Sequence, residues 1–333
     1  MRKIIDFNIK PYFISSAAVG GYEERCGPLG SLFDFTDGSD RFGKNTWEKA
    51  EGEMGRISLS FALKKAGLLP SDIDALFAGD LENQCVASSG GLYSFGIPYI
   101  GLYSACSTCT EALLLLSNLI SSESITTGAA VTTSHNSAAE RQFRTPIEYG
   151  AQRTPTSQWT ATAAGAFILS SEKRGTAYIN RAMIGKAVDG LTTDGSNMGA
   201  AMSRAAFDTV YTYLSLSGSE PGDYDAIITG DLGRVGSEIF CELLSNEYRG
   251  IKEKHLDCGM LLYDMNKRNV NSGASGCGCS ASVLASYILP KIERGEYKNI
   301  LFLSTGALMS PSSVLQGENI IGIAPVINIK GEN

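Results

Sequence analysis

The chain has 333 residues, so we expect one large core or two closely packed half-domains. A composition of 43% hydrophobic and 19% charged residues is that of an ordinary globular protein, and it excludes a disordered or fibrous class. The net charge of −7, with no stretch that concentrates Lys and Arg, argues against nucleic acid as a partner.

The N-terminal residues 1–6 carry charge without an apolar segment, so we expect no secretion signal and an intracellular protein. The longest nearly unbroken apolar run, 112–120, is about half of the ~20 residues that a membrane span needs. Any membrane association should therefore be peripheral. The eight cysteines are expected to be free thiols rather than a disulfide framework.

Helical patterns alternate with β-branched apolar runs, which predicts an α/β fold with parallel strands. The glycine-rich segment 20–42 is predicted to be a surface excursion. Residues 45–67 predict a helix, with Thr46 as its N-cap and Gly67 at its end. The next elements predicted along the chain are a strand at 75–78, a strand at 99–104, a helix at 107–122 and a strand at 128–133.

A Thr- and Ser-rich segment, 134–157, follows these elements and is long for a structureless connection. Such loops usually serve as lids or subunit contacts. The later predicted strands cover 163–169, 177–188, 299–304 and 320–329.

The chain contains an internal repeat. Residues 72–81 and 223–232 share the pattern Asp-x-Asp-Ala-x-x-x-Gly-Asp-Leu at an offset of 151 residues. Each copy precedes a cysteine pair that opens an apolar helix, Cys106 with Cys109 and Cys277 with Cys279. A repeat of this length predicts duplicated halves, 1–170 and 171–333, packed about a pseudo-twofold axis.

Cys106 is the strongest candidate for a ligand site. It follows a predicted strand at the N-terminal edge of a helix, where free backbone N–H groups and the helix dipole favour a thiolate or a bound anion. The alternative is a buried structural thiol that packs like a small hydrophobic residue.

The cysteine spacing leaves two further alternatives open. Cys106 and Cys109 have the spacing of a redox-active dithiol but lack its usual flanking residues. Two close cysteine pairs could also bind zinc, although the glycine-rich second pair opens a helix rather than a knuckle. We therefore expect neither a metal nor a cofactor.

Only two histidines are present, so a histidine-dependent mechanism has few ways to be built. His135 and its neighbour Asn136 lie just beyond a predicted strand, from which side chains can reach a pocket at the sheet edge. His255 lies in a charged segment and is predicted to face solvent.

Three charged residues complete the candidates. Asp80 and Asp231 end the two repeated strands, where each could cap a turn or reach a pocket, and Asp80 is the better pocket candidate. Arg141, which lies close to Arg144, could pair with a ligand carboxylate or simply face water.

The segment around Cys106, Tyr103-Ser104-Ala105-Cys106-Ser107, resembles the nucleophile segment of thiolases and ketoacyl synthases. This resemblance implies a duplicated five-layered α-β-α-β-α fold. Family enzymes pair the cysteine with His-His or His-Asn from the second half, whereas this chain has Gly230-Asp231 and Gly276-Cys277-Gly278 there. Since condensation needs those groups, we expect a noncatalytic protein. The alternative is an acyltransferase that uses Cys106 as acyl carrier and His135 as base.

A second resemblance covers more of the chain and is to the stage V sporulation protein AD family of spore-forming bacteria. The segments that carry it are 78–81, 104–108, 134–136, 139–144, 148–150 and 275–280. It implies a protein that binds dipicolinic acid and takes part in its transport into the developing spore and its release on germination. It also implies a place peripheral to the spore inner membrane, beside integral membrane subunits, and we expect a homodimer.

Dipicolinate is a planar dianion, so its site needs hydrogen-bond donors, an apolar slot and charge compensation. The helix start at Cys106 could supply N–H donors, and His135, Asn136 or Arg141 could supply the rest. Asp80 would repel a bare dianion but could help if calcium travels with the ligand.

Overall fold

The computed structural model describes residues 2–143, 153–266 and 270–332. The helices in these ranges are α1 Tyr22–Cys26, α2 Trp47–Ala66, α3 Val86–Leu92, α4 Thr108–Ser121, α5 Asn136–Phe143, α6 Met198–Ser217, α7 Gly233–Ser245, α8 Ile251–Lys254, α9 Cys258–Leu262, α10 Cys277–Val283, α11 Leu289–Glu293 and α12 Pro311–Leu315. The strands are β1 Ile5–Asp6, β2 Tyr12–Gly20, β3 Phe35–Thr36, β4 Ala75–Gly79, β5 Tyr99–Gly101, β6 Thr127–Ser134, β7 Trp159–Thr160, β8 Ala163–Ser170, β9 Ala177–Met183, β10 Val188–Asp189, β11 Ala226–Thr229, β12 His255–Asp257, β13 Ala274–Ser275, β14 Asn299–Leu303, β15 Gly306–Leu308, β16 Ile321–Ile323 and β17 Val326–Gly331.

The main strands follow a symmetric order across the molecule. Within the described residues, neighbouring strands hydrogen-bond in the order β12-β11-β14-β17-β9-β2-β8-β6-β4-β5. Read outward from the centre, β2-β8-β6-β4-β5 has the same sequential pattern as β9-β17-β14-β11-β12. The two sets meet where Tyr12 pairs with Tyr178. This is the predicted duplicated fold with pseudo-twofold related halves, while the division at 170/171 stays a prediction.

Alternate residues of each strand face different layers, because strand side chains have a period of two. On β4, Ala75 and Phe77 pack into a central core with α4 and α10, whereas Leu76 packs outward against α2. On β14, Phe302 joins the same central core and Leu301 packs outward against α6. Helices thus cover both outer faces and fill the space between the two strand sets, which gives the five layers of the predicted fold.

The long helix α2 confirms its predicted boundaries. The Thr46 hydroxyl accepts a hydrogen bond from Lys49 N, and Gly67 adopts the left-handed conformation, with φ of 68°, that ends a helix. The predicted strands at 75–78 and 128–133 correspond to β4 and β6.

Three predicted elements are wrong in extent. The strand predicted at 320–329 is divided into β16 and β17, since Pro325 between them cannot donate to a ladder. The strand predicted at 177–188 ends at Met183, and Val188 belongs to the short β10, which pairs with β16. The segment predicted as a loop at 134–157 begins with α5, and its residues 144–152 lie outside the described ranges.

Candidate functional site

Cys106 lies in a single helical turn, residues 105–107, directly before α4. Ala105 adopts a left-handed conformation with φ of 49°, which is uncommon for a residue with a side chain. Gly306 of β15 passes this turn closely, and a Cβ at that glycine would lie 2.9 Å from Ser104 O. The strand β15 of the second half therefore packs directly against the turn that precedes α4.

The thiol of Cys106 lies beside the carboxyl group of Asp231, which follows β11 in the second half. Asp231 is fully buried. Its Oδ1 accepts a hydrogen bond from Thr305 Oγ1 at 2.7 Å, and its Oδ2 accepts one from Gly276 N at 2.9 Å. The cysteine therefore faces a carboxyl group rather than an imidazole.

This environment disfavours the thiolate form of Cys106. Burial raises the pKa of Asp231 to about 7. Burial, followed by the charge of Asp231, raises the pKa of Cys106 well above its usual range. Since the thiolate is the nucleophile, this environment does not activate Cys106.

A cavity of about 710 Å³ opens at Cys106. Its walls are mainly apolar, and they are formed by residues of both halves, including α5 of the first half. The residues that line it are Leu81, Tyr103, Ala105, Cys106, Ala139, Glu140, Phe143, Gln158, Thr160, Gly195, Ser196, Met198, Ser275, Ala307, Leu308, Met309, Ser310, Pro311, Ser313, Val314 and Leu315.

Of the five predicted ligand residues, Cys106 lines this cavity and Asp80 does not. The Asp80 carboxylate accepts hydrogen bonds from Ser88 N at 2.7 Å, from Ser88 Oγ at 2.6 Å and from Glu82 N at 2.7 Å. These contacts match the capping interpretation of Asp80, and its role in ligand binding stays a prediction.

His135 and Asn136 also lie outside the cavity lining, and Asn136 contacts a residue of its wall. His135 Nδ1 accepts a hydrogen bond from Ser137 N, so its Nε2–H donates to Asp40 O at 2.9 Å. Burial lowers the pKa of His135. Asn136 Nδ2 donates to the backbone oxygen of Thr160, a cavity residue, at 3.3 Å.

Arg141 is exposed and forms an ion pair with Glu48 of α2. Its neighbours on α5, Ala139, Glu140 and Phe143, line the cavity instead. Arg144 and residues 148–150, which contributed to the resemblance, lie outside the described residues. Ligand binding by His135, Asn136 and Arg141 stays a prediction.

The prediction that His255 faces solvent is wrong. Its Nε2 lies 2.9 Å from Thr229 Oγ1 and its Nδ1 lies 3.4 Å from Cys241 Sγ. Burial lowers the pKa of His255 to about 4. The neighbouring charged residues suggested a surface, but they occupy α8, whereas His255 begins the strand β12.

Sequence reasoning left capping and a pocket role open for Asp231, ranked Asp80 above it as a pocket residue, and missed its place beside Cys106. The internal repeat was the signal that could have revealed this. Asp80 and Asp231 end equivalent strands of the two halves. A twofold axis between the halves brings the acid of the second half, Asp231, to the cysteine of the first half. Across the described residues, no group of three or more His, Cys, Asp or Glu side chains is arranged to hold a metal ion. The described helices include none long and apolar enough to cross a membrane.

A duplicated five-layer fold with a cysteine at the start of a central helix defines a thiolase-like protein. Solved structures agree with this class. 3-oxoacyl-[acyl-carrier-protein] synthase III from Aquifex aeolicus VF5 is 14% identical with a TM-score of 0.58, and the match covers 95% of this chain and 99% of that one. A variant of OleA from Xanthomonas campestris is 13% identical with a TM-score of 0.59, over 97% and 99% of the two chains.

The chain belongs to the Stage V sporulation protein AD (SpoVAD) family, whose sequence profile matches residues 1–330. Stage V sporulation protein AD of Bacillus subtilis (strain 168) is 39% identical over 315 residues, which cover 94% of this chain and 93% of that protein. The resemblance inferred from the sequence is therefore confirmed, and the chain is a sporulation protein with a thiolase-like fold.

Proposed function

We propose that the chain is a noncatalytic receptor that binds dipicolinic acid in the Cys106 cavity. In this proposal it takes part in moving dipicolinic acid into the developing spore and in releasing it on germination. The observation that carries the proposal is the buried carboxyl group of Asp231 beside the Cys106 thiol, because burial and then this acid raise the thiol pKa instead of activating the sulfur.

The histidines of the chain support the same conclusion. The sequence contains two, and both lie among the described residues outside the cavity lining. Each imidazole is held by other partners, His135 by Asp40 O and His255 by Thr229 Oγ1. An imidazole base for Cys106 would therefore require one of these networks to break.

The cavity has the features of a small-molecule site. Its volume of about 710 Å³ lies within the usual range for such sites, and Phe143 offers an aromatic surface to a planar ring. Among the described residues that line it, Glu140 is charged and pairs with Arg153 at 2.7 Å, and none is Lys or Arg. The described lining therefore offers a dianion no Lys or Arg as counter-charge, which favours dipicolinate carried as its calcium chelate.

The proposal also includes a homodimer. The strand β5 is the last of its sheet in the described residues, and its residues Tyr99–Gly101 are all exposed. An unpaired, exposed strand edge is a template for pairing with a second copy. We expect Ile100→Asp to give a monomer in light scattering, whereas Leu216→Asp, at an exposed position of α6, should leave a dimer. A dimer that persists in Ile100→Asp would contradict this interface.

Location and membrane partners rest on the family resemblance. We propose that the protein lies peripherally at the spore inner membrane beside integral membrane subunits. Fractionation of spores should find it with membranes only while those subunits are present, and its retention in their absence would argue against this arrangement.

Calorimetry with dipicolinate, with and without calcium, tests the proposed function. Wild type should show saturable binding, and Cys106→Ala and Phe143→Ala should weaken it by about tenfold, the equivalent of one lost contact of 1.4 kcal/mol. Cys26→Ala, at an exposed cysteine away from the cavity lining, is the matched control and should bind as wild type does. Absence of binding to folded wild type in either form would refute the proposal.

The apolar walls would also suit an acyl chain, so the alternative is an acyltransferase that carries the acyl group on Cys106. His135, the base in that alternative, would first have to leave Asp40 O and Ser137 N. A covalent acyl group on Cys106 would favour this alternative over the receptor.

A further inference from the structure

Tyr103 is a large aromatic side chain that lines the Cys106 cavity and stays 53% exposed. The residue before it, Leu102, is buried in the central core, and its backbone N donates to Ala78 O at 2.8 Å, so the chain continues the extended course of β5. Because side chains alternate along an extended segment, Tyr103 points away from that core.

The Tyr103 side chain is held at its hydroxyl end. Its hydroxyl donates to Asn83 Oδ1 at 3.1 Å. Asn83 N in turn donates to Gln142 Oε1 at 3.0 Å, which ties this acceptor to α5. The ring is thus fixed through its backbone on one side and through its hydroxyl on the other. A side chain that is already held in place loses little conformational freedom when a ligand binds to it.

Open space borders Tyr103 on more than one side. Besides the cavity, it lines a smaller hollow of about 390 Å³ together with Asn83, Gln84, Cys85, Tyr99 and Gly101. Tyr103 therefore stands between two hollows, and its exposed surface is available to a molecule that is bound in the larger one.

The two halves of the molecule contribute different side chains to the cavity. Tyr103 and Phe143, the aromatic residues of its described lining, belong to the first half, and the second half contributes aliphatic side chains that include Leu308, Val314 and Leu315. A planar ring can make offset-stacked or edge-to-face contacts with an aromatic surface, whereas a saturated ring of the same size cannot. The cavity therefore has the means to distinguish flat ligands from puckered ones.

We propose that Tyr103 is the stacking platform of the cavity and makes it selective for planar aromatic acids over saturated acids that carry the same carboxylates. Tyr103 rather than Phe143 has this role because its hydroxyl is bound to Asn83, which fixes the plane of its ring. This inference rests on the proposed function and adds the residue that recognises the ring of the ligand.

Two substitutions separate the ring from the hydroxyl. Tyr103→Phe keeps the ring and loses the hydrogen bond, whereas Tyr103→Leu removes the ring and keeps an apolar side chain. Tyr93→Leu is the matched control, because Tyr93 is a 79% exposed tyrosine outside the cavity lining. Thermal melting confirms that each variant is folded, and light scattering compares its oligomeric state with that of wild type.

The probes are dipicolinate and cis-piperidine-2,6-dicarboxylate, which carries the same carboxylates on a saturated ring, each titrated with and without calcium in a calorimeter. Wild type and Tyr93→Leu should prefer dipicolinate. Tyr103→Leu should weaken dipicolinate binding by about tenfold and leave the saturated acid nearly unchanged, whereas Tyr103→Phe should stay within about twofold of wild type. In ligand-observed NMR, stacking should shift the dipicolinate ring protons upfield with wild type but not with Tyr103→Leu.

Each result decides a different claim. Equal losses for the two acids in Tyr103→Leu would show a general structural role and overturn the inference, as would dipicolinate binding that stays at the wild-type level. A loss in Tyr103→Phe as large as that in Tyr103→Leu would assign the effect to the hydroxyl and also overturn it. So would a Tyr103→Leu protein that changes its oligomeric state while it binds normally, because the ring would then belong to a contact between subunits. Wild type that binds dipicolinate in neither form would instead refute the proposed function.

Discussion

The two halves of the molecule hold equivalent cysteines and acids that have different environments. Cys106 of the first half lies beside Asp231 of the second and reaches the cavity. Cys277 of the second half lies near Asp80 of the first, but its thiol donates to Thr133 O at 2.9 Å and is fully buried. One cysteine and acid pair is an open site, and the other is part of the core.

The difference arises from what caps the next helix. After Asp80, the chain turns back within a few residues, and Ser88 of α3 donates two hydrogen bonds to the Asp80 carboxylate. After Asp231, the start of α7 is capped by Asp257, whose oxygens accept from Leu232 N at 2.8 Å and Gly233 N at 3.0 Å. Asp231 is thereby free to face the thiol. A duplicated motif thus acquires a new role when a different residue takes over its structural task.

The largest effect is expected from Asp80→Ala. This substitution removes an acceptor of three hydrogen bonds and leaves buried donors unpaired, so the free energy of unfolding should fall by about 3–4 kcal/mol. Urea unfolding measures this change. A loss below about 1 kcal/mol would contradict the capping role, and Cys26→Ala serves as a neutral control.

The next effect concerns pH and Asp231. Folding raises the pKa of this carboxyl group from 3.8 to about 7, so the folded chain keeps a proton between about pH 4 and 7 that the unfolded chain releases. Its contribution to stability is therefore present at low pH and falls as pH rises through that window, by up to about 1.4 kcal/mol per unit.

Asp231→Asn removes this titration, so wild type should lose stability relative to Asp231→Asn between pH 5 and pH 7, with little further change above pH 8. Urea unfolding of both proteins across this range gives the difference directly. A difference that stays constant with pH would show that Asp231 keeps an ordinary pKa in the folded chain.

The smallest effect on stability distinguishes the two cysteines. Cys277→Ala should cost about 1 kcal/mol, because it removes a buried hydrogen bond, and it should leave dipicolinate binding unchanged. Cys106→Ala should show the reverse, with weaker binding and a smaller change in the free energy of unfolding. Equal losses of dipicolinate binding in Cys106→Ala and Cys277→Ala would contradict the assignment of one cysteine to the binding site and of the other to the core.

Local sequence patterns predicted the parts of the fold that local chemistry decides. Thr46 and Gly67 bounded α2, and the repeated Gly-Asp-Leu segments revealed the duplication. The environments of His255 and Asp231 depend on contacts between distant residues, which no local pattern encodes. Asp231 reaches Cys106 only because Asp257 caps α7, and the sequence gives no measure of that competition.

Mass spectrometry of the wild-type protein after incubation with acyl-CoA tests the central claim most directly, with a condensing enzyme run in parallel as a positive control. The raised pKa of the Cys106 thiol, caused by burial and by Asp231, predicts that Cys106 stays unmodified while the control enzyme is acylated. An acyl group on Cys106 at comparable yield would contradict the account, because it would show that the sulfur is activated despite its acidic neighbour.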